Sequence, residues 1–120
     1  MDEVQELLEQ ARALGRSIAD HAHVQAFMTA RKKVDNDADA QRLLKEYSAQ
    51  ARHIRELEVQ QRPVEVADKQ KLARCEQQMA SNDALKELMR AQADYVALMN
   101  QVNRAMEEPL AGPQQQGAGP

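Results

Sequence analysis

Residues 37–61 read DADAQRLLKEYSAQARHIRELEVQQ, and this stretch decides the fold. It holds neither Gly nor Pro, and its apolar side chains fall at Ala40, Leu43, Leu44, Tyr47, Ala51, Ile54 and Leu57. That three-and-four spacing marks a helix that buries one stripe. Asp37 predicts the N-cap, with Asp39 in the first turn near the positive end of the dipole. At about 1.5 Å per residue, roughly 25 residues reach about 37 Å. A compact domain of this length has a radius of gyration of only about 14 Å. The helix is expected to span the molecule or overhang it, and an overhanging apolar stripe needs a partner. The opposite face, with Arg42, Lys45, Glu46, Arg52, Arg55, Glu56 and Glu58, mixes charges as a solvated face does.

Working towards the N-terminus, Val24, Phe27, Met28, Arg31 and Val34 predict a shorter helix that starts after a break at Asp20 or His21. Before that break, Val4, Leu7, Leu8, Ala11, Leu14 and Ile18 predict a first helix, capped by Asp2. Gly15 inside it costs up to about 1 kcal/mol relative to Ala. It reads as room for close approach of another helix, or as a hinge. The run Arg31-Lys32-Lys33 suits a solvated helix C-terminus, with recognition of an acidic partner as the alternative.

Towards the C-terminus, Pro63 biases Arg62 away from helical angles and ends the long helix. A fourth helix over about 66–80 places Leu72, Cys75 or Glu76, and Met79 on one face. Asn82 predicts the cap of a fifth helix, which carries Leu85, Leu88, Met89, Tyr95, Val96, Met99, Val102 and Met106 and is expected to stop at Pro109. The remainder, PLAGPQQQGAGP over 109–120, has nothing to bury and is expected to be a disordered tail behind a single helical domain over 1–108. The expected fold is all-α, a five-helix bundle made of one N-terminal helix and two helical hairpins with long third and fifth helices. A shift of 45 residues maps Ala30 on Cys75, Val34 on Met79, Asp37 on Asn82, Ala40 on Leu85 and Leu43 on Leu88. Helical periodicity alone generates part of that echo.

Composition excludes several classes of function. Of the 120 residues, 42% are hydrophobic, but 20 are Ala and the aromatics are only Phe27, Tyr47 and Tyr95. Such side chains suit helices that approach closely and close a wide core poorly. The net charge of −3 is spread evenly, with 9 basic and 11 acidic residues in 1–60 and 7 and 8 thereafter. No basic face marks a nucleic-acid binder, so direct contact with nucleic acid is not expected. The opening MDEVQELLEQ lacks the basic and apolar regions of a signal peptide, and no stretch has the roughly 20 apolar residues of a membrane span. A cytoplasmic protein is expected.

The chemistry of catalysis is hard to assemble here. Ser17, Ser48, Ser81, Thr29 and Cys75 all fall in or beside helices, without a Gly-rich elbow or phosphate loop. His21 and His23, two apart, point in different directions on a helix. Cys75 is the only cysteine and reads as a small core residue. No enzyme and no cofactor are expected. Met28, Met79, Met89, Met99 and Met106 read as core filler or as an adaptable binding groove.

The order of these pieces is familiar. The run Ala13-Leu14-Gly15-Arg16-Ser17-Ile18-Ala19-Asp20-His21 resembles the opening of the YlbF/YmcA family of small helical bacterial regulators. So do Phe27 with Ala30-Arg31-Lys32, and Asp37-Ala38-Asp39-Ala40-Gln41 leading to Leu43-Leu44 and Tyr47. Later come Pro63-Val64, Ser81-Asn82-Asp83-Ala84-Leu85, Tyr95, Leu98-Met99, Val102 and Asn103. The resemblance spans most of 3–108. It implies a helical protein that dimerises and has no catalysis of its own. Members of the family act with related partners as an accessory complex that tunes ribonuclease Y and RNA processing, with effects on competence, sporulation and biofilm formation. Some members contribute cysteines to an iron–sulfur cluster, including cysteines near the C-terminus. Here Cys75 stands alone, so that cluster is not expected. Turn prolines common in the family are replaced by Asn36-Asp37 and Asn82-Asp83.

The resulting expectation is a regulator that works by protein–protein contact, as a homodimer or hetero-oligomer with itself, related family members or ribonuclease Y. Candidate core or interface residues are Phe27, Leu43, Leu44, Tyr47, Ile54, Leu88, Met89, Tyr95 and Met99. The helices starting near Asp37 and Asn82 would build the main interface, and Arg31 and Lys32 are the candidate partner-contact surface. Two rival readings are a structural or chaperone-like helical oligomerisation module, and a metal or iron–sulfur sensor using Cys75 across a dimer.

Overall fold

The computed structural model describes residues 2–117, with side chains to residue 112. Among the described residues there are five α-helices: α1 (Glu3–Ala19), α2 (Ala22–Asp35), α3 (Ala38–Val59), α4 (Val66–Ser81) and α5 (Asp83–Gly117). The architecture is all-α, with long third and fifth helices, as the periodicity predicts.

Each start has a local cause. The Asp2 side chain accepts from the Val4 N–H at 3.1 Å, and Asp37 accepts from the Ala40 N–H at 3.0 Å. The Asn82 side-chain oxygen accepts from the Leu85 N–H at 3.0 Å. At α4 the Glu65 N–H donates to the Asp68 carboxylate at 3.1 Å, one arm of a capping box. The turn into α2 uses a cap that helical spacing hides. His21 lies just outside the helix, and its Nδ1 accepts from the His23 N–H at 3.0 Å. The two rings therefore lie with centroids 4.9 Å apart, where an ideal helix would turn them apart.

Two ends depart from expectation. The end of α3 is set before Pro63 acts, by Gln61 at φ 57°. The Arg62 N–H reaches the Leu57 carbonyl at 2.8 Å and the Gln61 N–H reaches Glu58 at 3.1 Å, the paired bonds of a Schellman motif. Pro109 does not stop α5: the break comes at Gly112, with φ 73° and ψ 173°. Proline's fixed φ fits a helix, and the acceptor it strands at Ala105 is on an exposed turn where water can bind it. Glycine supplies the positive φ that side chains resist. Of the tail expected to be disordered, residues 109–117 are helical except at Gly112, and 118–120 lie outside the described residues.

The chain forms two compact units, with α2 and α5 contributing residues to both. Unit 2, Met28–Arg90, holds the main core: Val34, Ala40, Leu43 and Leu85 are buried together, with Leu44, Met79, Ala84 and Leu88 against them. Its closest helix pair is α3 with α4, which run antiparallel across the turn at 60–65. Buried Gln50 ties them together, its amide donating to the Asp68 carbonyl at 2.9 Å. Unit 1 takes the residues up to Phe27 and those from Ala91 on. Val24 and Ala91 are buried there, and Phe27 stacks on Tyr95 with ring centroids 4.8 Å apart and planes 16° apart.

Candidate protein-interaction surface

In unit 2 the predicted residues separate by depth. Leu43 is buried, while Leu44, Tyr47, Ile54 and Leu88 are half-buried. Met89, one residue beyond Leu88, is 62% exposed. A step of one residue turns about 100° around a helix, so Met89 leaves the core that Leu88 joins. In unit 1, Phe27, Tyr95 and Met99 are half-buried.

On α2, Met28, Arg31 and Lys32 are exposed, and their spacing puts them on one face. Lys33 binds Glu87 of α5 at 3.2 Å across two exposed side chains. On α3, Arg42 is held between Asp39 at 2.6 Å and Glu46 at 3.0 Å. The hydrogen bond to Asp39, then that to Glu46, raises the guanidinium above its ordinary pKa. These charges fix each other on a solvated face, as the alternating signs predict. His53 meets Asp68 at 3.3 Å in the α3–α4 hairpin.

In unit 1, α1 has no buried residue. Val4 is 56% and Leu7 65% exposed, and Leu8 and Leu14 are exposed with them. Among the described residues nothing makes the close approach expected at Gly15: a Cβ built there meets nothing within 4 Å. Sequence periodicity found this stripe but could not say that its side chains stay exposed.

Among the described residues no three His, Cys, Asp or Glu side chains gather where they could hold a metal ion. Cys75 is free and only 5% exposed, with its thiol inside unit 2. No helix among the described residues is long and apolar enough to cross a membrane. What this surface offers is apolar and mixed-charge helix faces, the chemistry of recognising other helices.

The family model described as control of competence regulator ComK, YlbF/YmcA, matches residues 7–111. The chain belongs to the YlbF/YmcA family. A crystal structure of Bacillus subtilis RicA in complex with RicF carries the same fold, with a TM-score of 0.79 and 14% identity over 92% of this chain and 96% of that one. No curated protein matches the chain. As a YlbF/YmcA protein it falls in a family described by regulation of another factor, which agrees with the resemblance read from the residues. At the Asn36-Asp37 and Asn82-Asp83 turns, the side chains of Asp37 and Asn82 cap the helices that follow.

Proposed function

We propose that this YlbF/YmcA protein is a non-catalytic, cytoplasmic regulator that acts through helical protein–protein contacts. It pairs with itself or with related family members and serves as an accessory factor that tunes ribonuclease Y and RNA processing. The observation that carries the reading is the family match over 7–111. The RicA crystal structure supports it, because that protein is bound to another protein, RicF. The surface supports it as well. Exposed Met28 beside Arg31 and Lys32, and exposed Met89, offer adaptable apolar contacts, with cations next to Met28.

The sensor reading loses ground to the position of Cys75. A thiol shared across a dimer must reach the surface, and this one is buried in its own unit. The chaperone-like reading differs from ours in stoichiometry. Tagged protein purified from its native cells, cross-linked and analysed by mass spectrometry, tests the two. Our reading expects a second family member or ribonuclease Y at a fixed ratio. A broad, weak set of clients would overturn it in favour of the chaperone-like module.

A further inference from the structure

Sulfur is exposed unevenly in this chain. Met28, Met89 and Met106 are 49%, 62% and 51% exposed, whereas Met79 packs against the core of unit 2 and Met99 is half-buried. The single cysteine, Cys75, is 5% exposed, and an oxidant reaches a thiol only where it is accessible. The sulfur that solvent meets is therefore thioether sulfur. It also lies where an oxidised product is tolerated. An oxygen added to Met79 would enter the cluster that holds Val34, Ala40, Leu43 and Leu85 and would loosen it. The same oxygen on Met89 stays in water and leaves that cluster alone.

Met28 and Met89 both belong to unit 2, and they are the apolar side chains that the proposed partner contact uses. An apolar thioether gains from burial under a partner. A sulfoxide in its place gives up water for a contact that was built without a donor for it. We infer that Met28 and Met89 are modification sites through which hydroperoxides control partner binding. The sulfur lone pair attacks the outer peroxide oxygen, the S–O bond forms and the O–O bond breaks. The departing hydroxide takes the proton of the transferred oxygen and leaves as water, so the sulfur loses two electrons and the peroxide gains them. Methionine sulfoxide reductases, drawing on thiols, reverse the step. It acts on the unbound chain, because a partner seated on these side chains shields them. The chemistry rests on exposure alone; its consequence deepens the proposed function and rests on that reading.

Purified full-length protein, treated briefly with hydrogen peroxide and mapped by mass spectrometry, checks the chemistry without any partner. Met28, Met89 and Met106 should take up oxygen severalfold faster than Met79 and Met99, with the Cys75 thiol still free. Equal rates at all five methionines, or loss of the thiol first, would overturn the assignment. The melting midpoint of the same sample should be unchanged, and a fall would show damage to the fold in place of a switch. Treated and untreated proteins, freed of peroxide, then capture from an extract of native cells, and a second YlbF/YmcA protein and ribonuclease Y are quantified. Treated wild type should hold severalfold less of either. Met28→Leu with Met89→Leu keeps apolar contact and resists oxidation there, so treatment should leave its capture unchanged although Met106 is oxidised. Equal capture by treated and untreated wild type, or a loss that persists in the double variant, overturns the inference alone. Capture of neither protein by untreated wild type overturns the partner reading and the control with it.

Discussion

Asp37 and Asn82, 45 positions apart, do the same work in unit 2. Each side-chain oxygen accepts from the N–H three residues on, at 3.0 Å in both cases. The residues that donate, Ala40 and Leu85, are both buried in the same core cluster. Val34 with Met79 and Leu43 with Leu88 extend the correspondence into that cluster. The echo in the sequence thus has a counterpart in packing, with two short-helix, cap and long-helix segments sharing one core.

The caps should be measurable in stability. Asp37→Ala and Asn82→Ala are each expected to cost about 1 kcal/mol, within the range of cap deletions. Urea unfolding followed by circular dichroism checks this. A loss well below about 0.5 kcal/mol at either site would mean that the bond contributes little to holding the helix start.

Gln61 gives a prediction of opposite sign. It is a side-chain residue at φ 57°, where the Cβ is disfavoured and glycine is not. Gln61→Gly should therefore stabilise the protein by a few tenths to about 1 kcal/mol, net of glycine's greater freedom in the unfolded chain. Thermal unfolding of the two proteins side by side decides it, and a lowered midpoint would contradict the cap geometry.

The contrast between Leu43 and Met89 tests the depth assignment. Leu43→Ala removes a buried core side chain and should cost about 2–5 kcal/mol. Met89→Ala removes an exposed one and should change stability by less than about 0.5 kcal/mol. A comparable loss from both would place Met89 against a surface that the single chain does not show.

We propose that residues 1–108 fold as one cooperative domain without the segment behind them. Leu110 is the large apolar side chain of that segment and is 85% exposed. Ending the chain after Glu108 should shift the melting midpoint by less than about 2 °C. A larger fall would make the helical turns after Pro109 part of the domain.

Helix existence and the caps at Asp2, Asp37 and Asn82 were legible because they depend on local chemistry. Spacing determines which side chains share a face, and a carboxylate or amide before an apolar run names the start. The face argument left Cys75 or Glu76 open, and the burial of Cys75 agrees with its reading as a small core residue. Ends were harder to read. A glutamine at positive φ carries no compositional signal, and a proline in an exposed last turn can be accommodated because water satisfies the stranded carbonyl. His21 as a cap was hidden because its effect depends on lying one residue outside a helix. Met89 and the α1 stripe show the deeper limit. Periodicity says which residues face together, but not what meets them.

Stoichiometric capture from native cells tests the central claim, regulation through protein contact, most directly. Tagged wild-type protein and Met28→Ala with Met89→Ala are purified in parallel and the bound proteins quantified by mass spectrometry. The account predicts that a second YlbF/YmcA protein or ribonuclease Y comes down with the wild type at a fixed ratio. It predicts a severalfold loss with the variant, while the fold stays intact. Recovery of neither protein with the wild type would contradict the regulatory role.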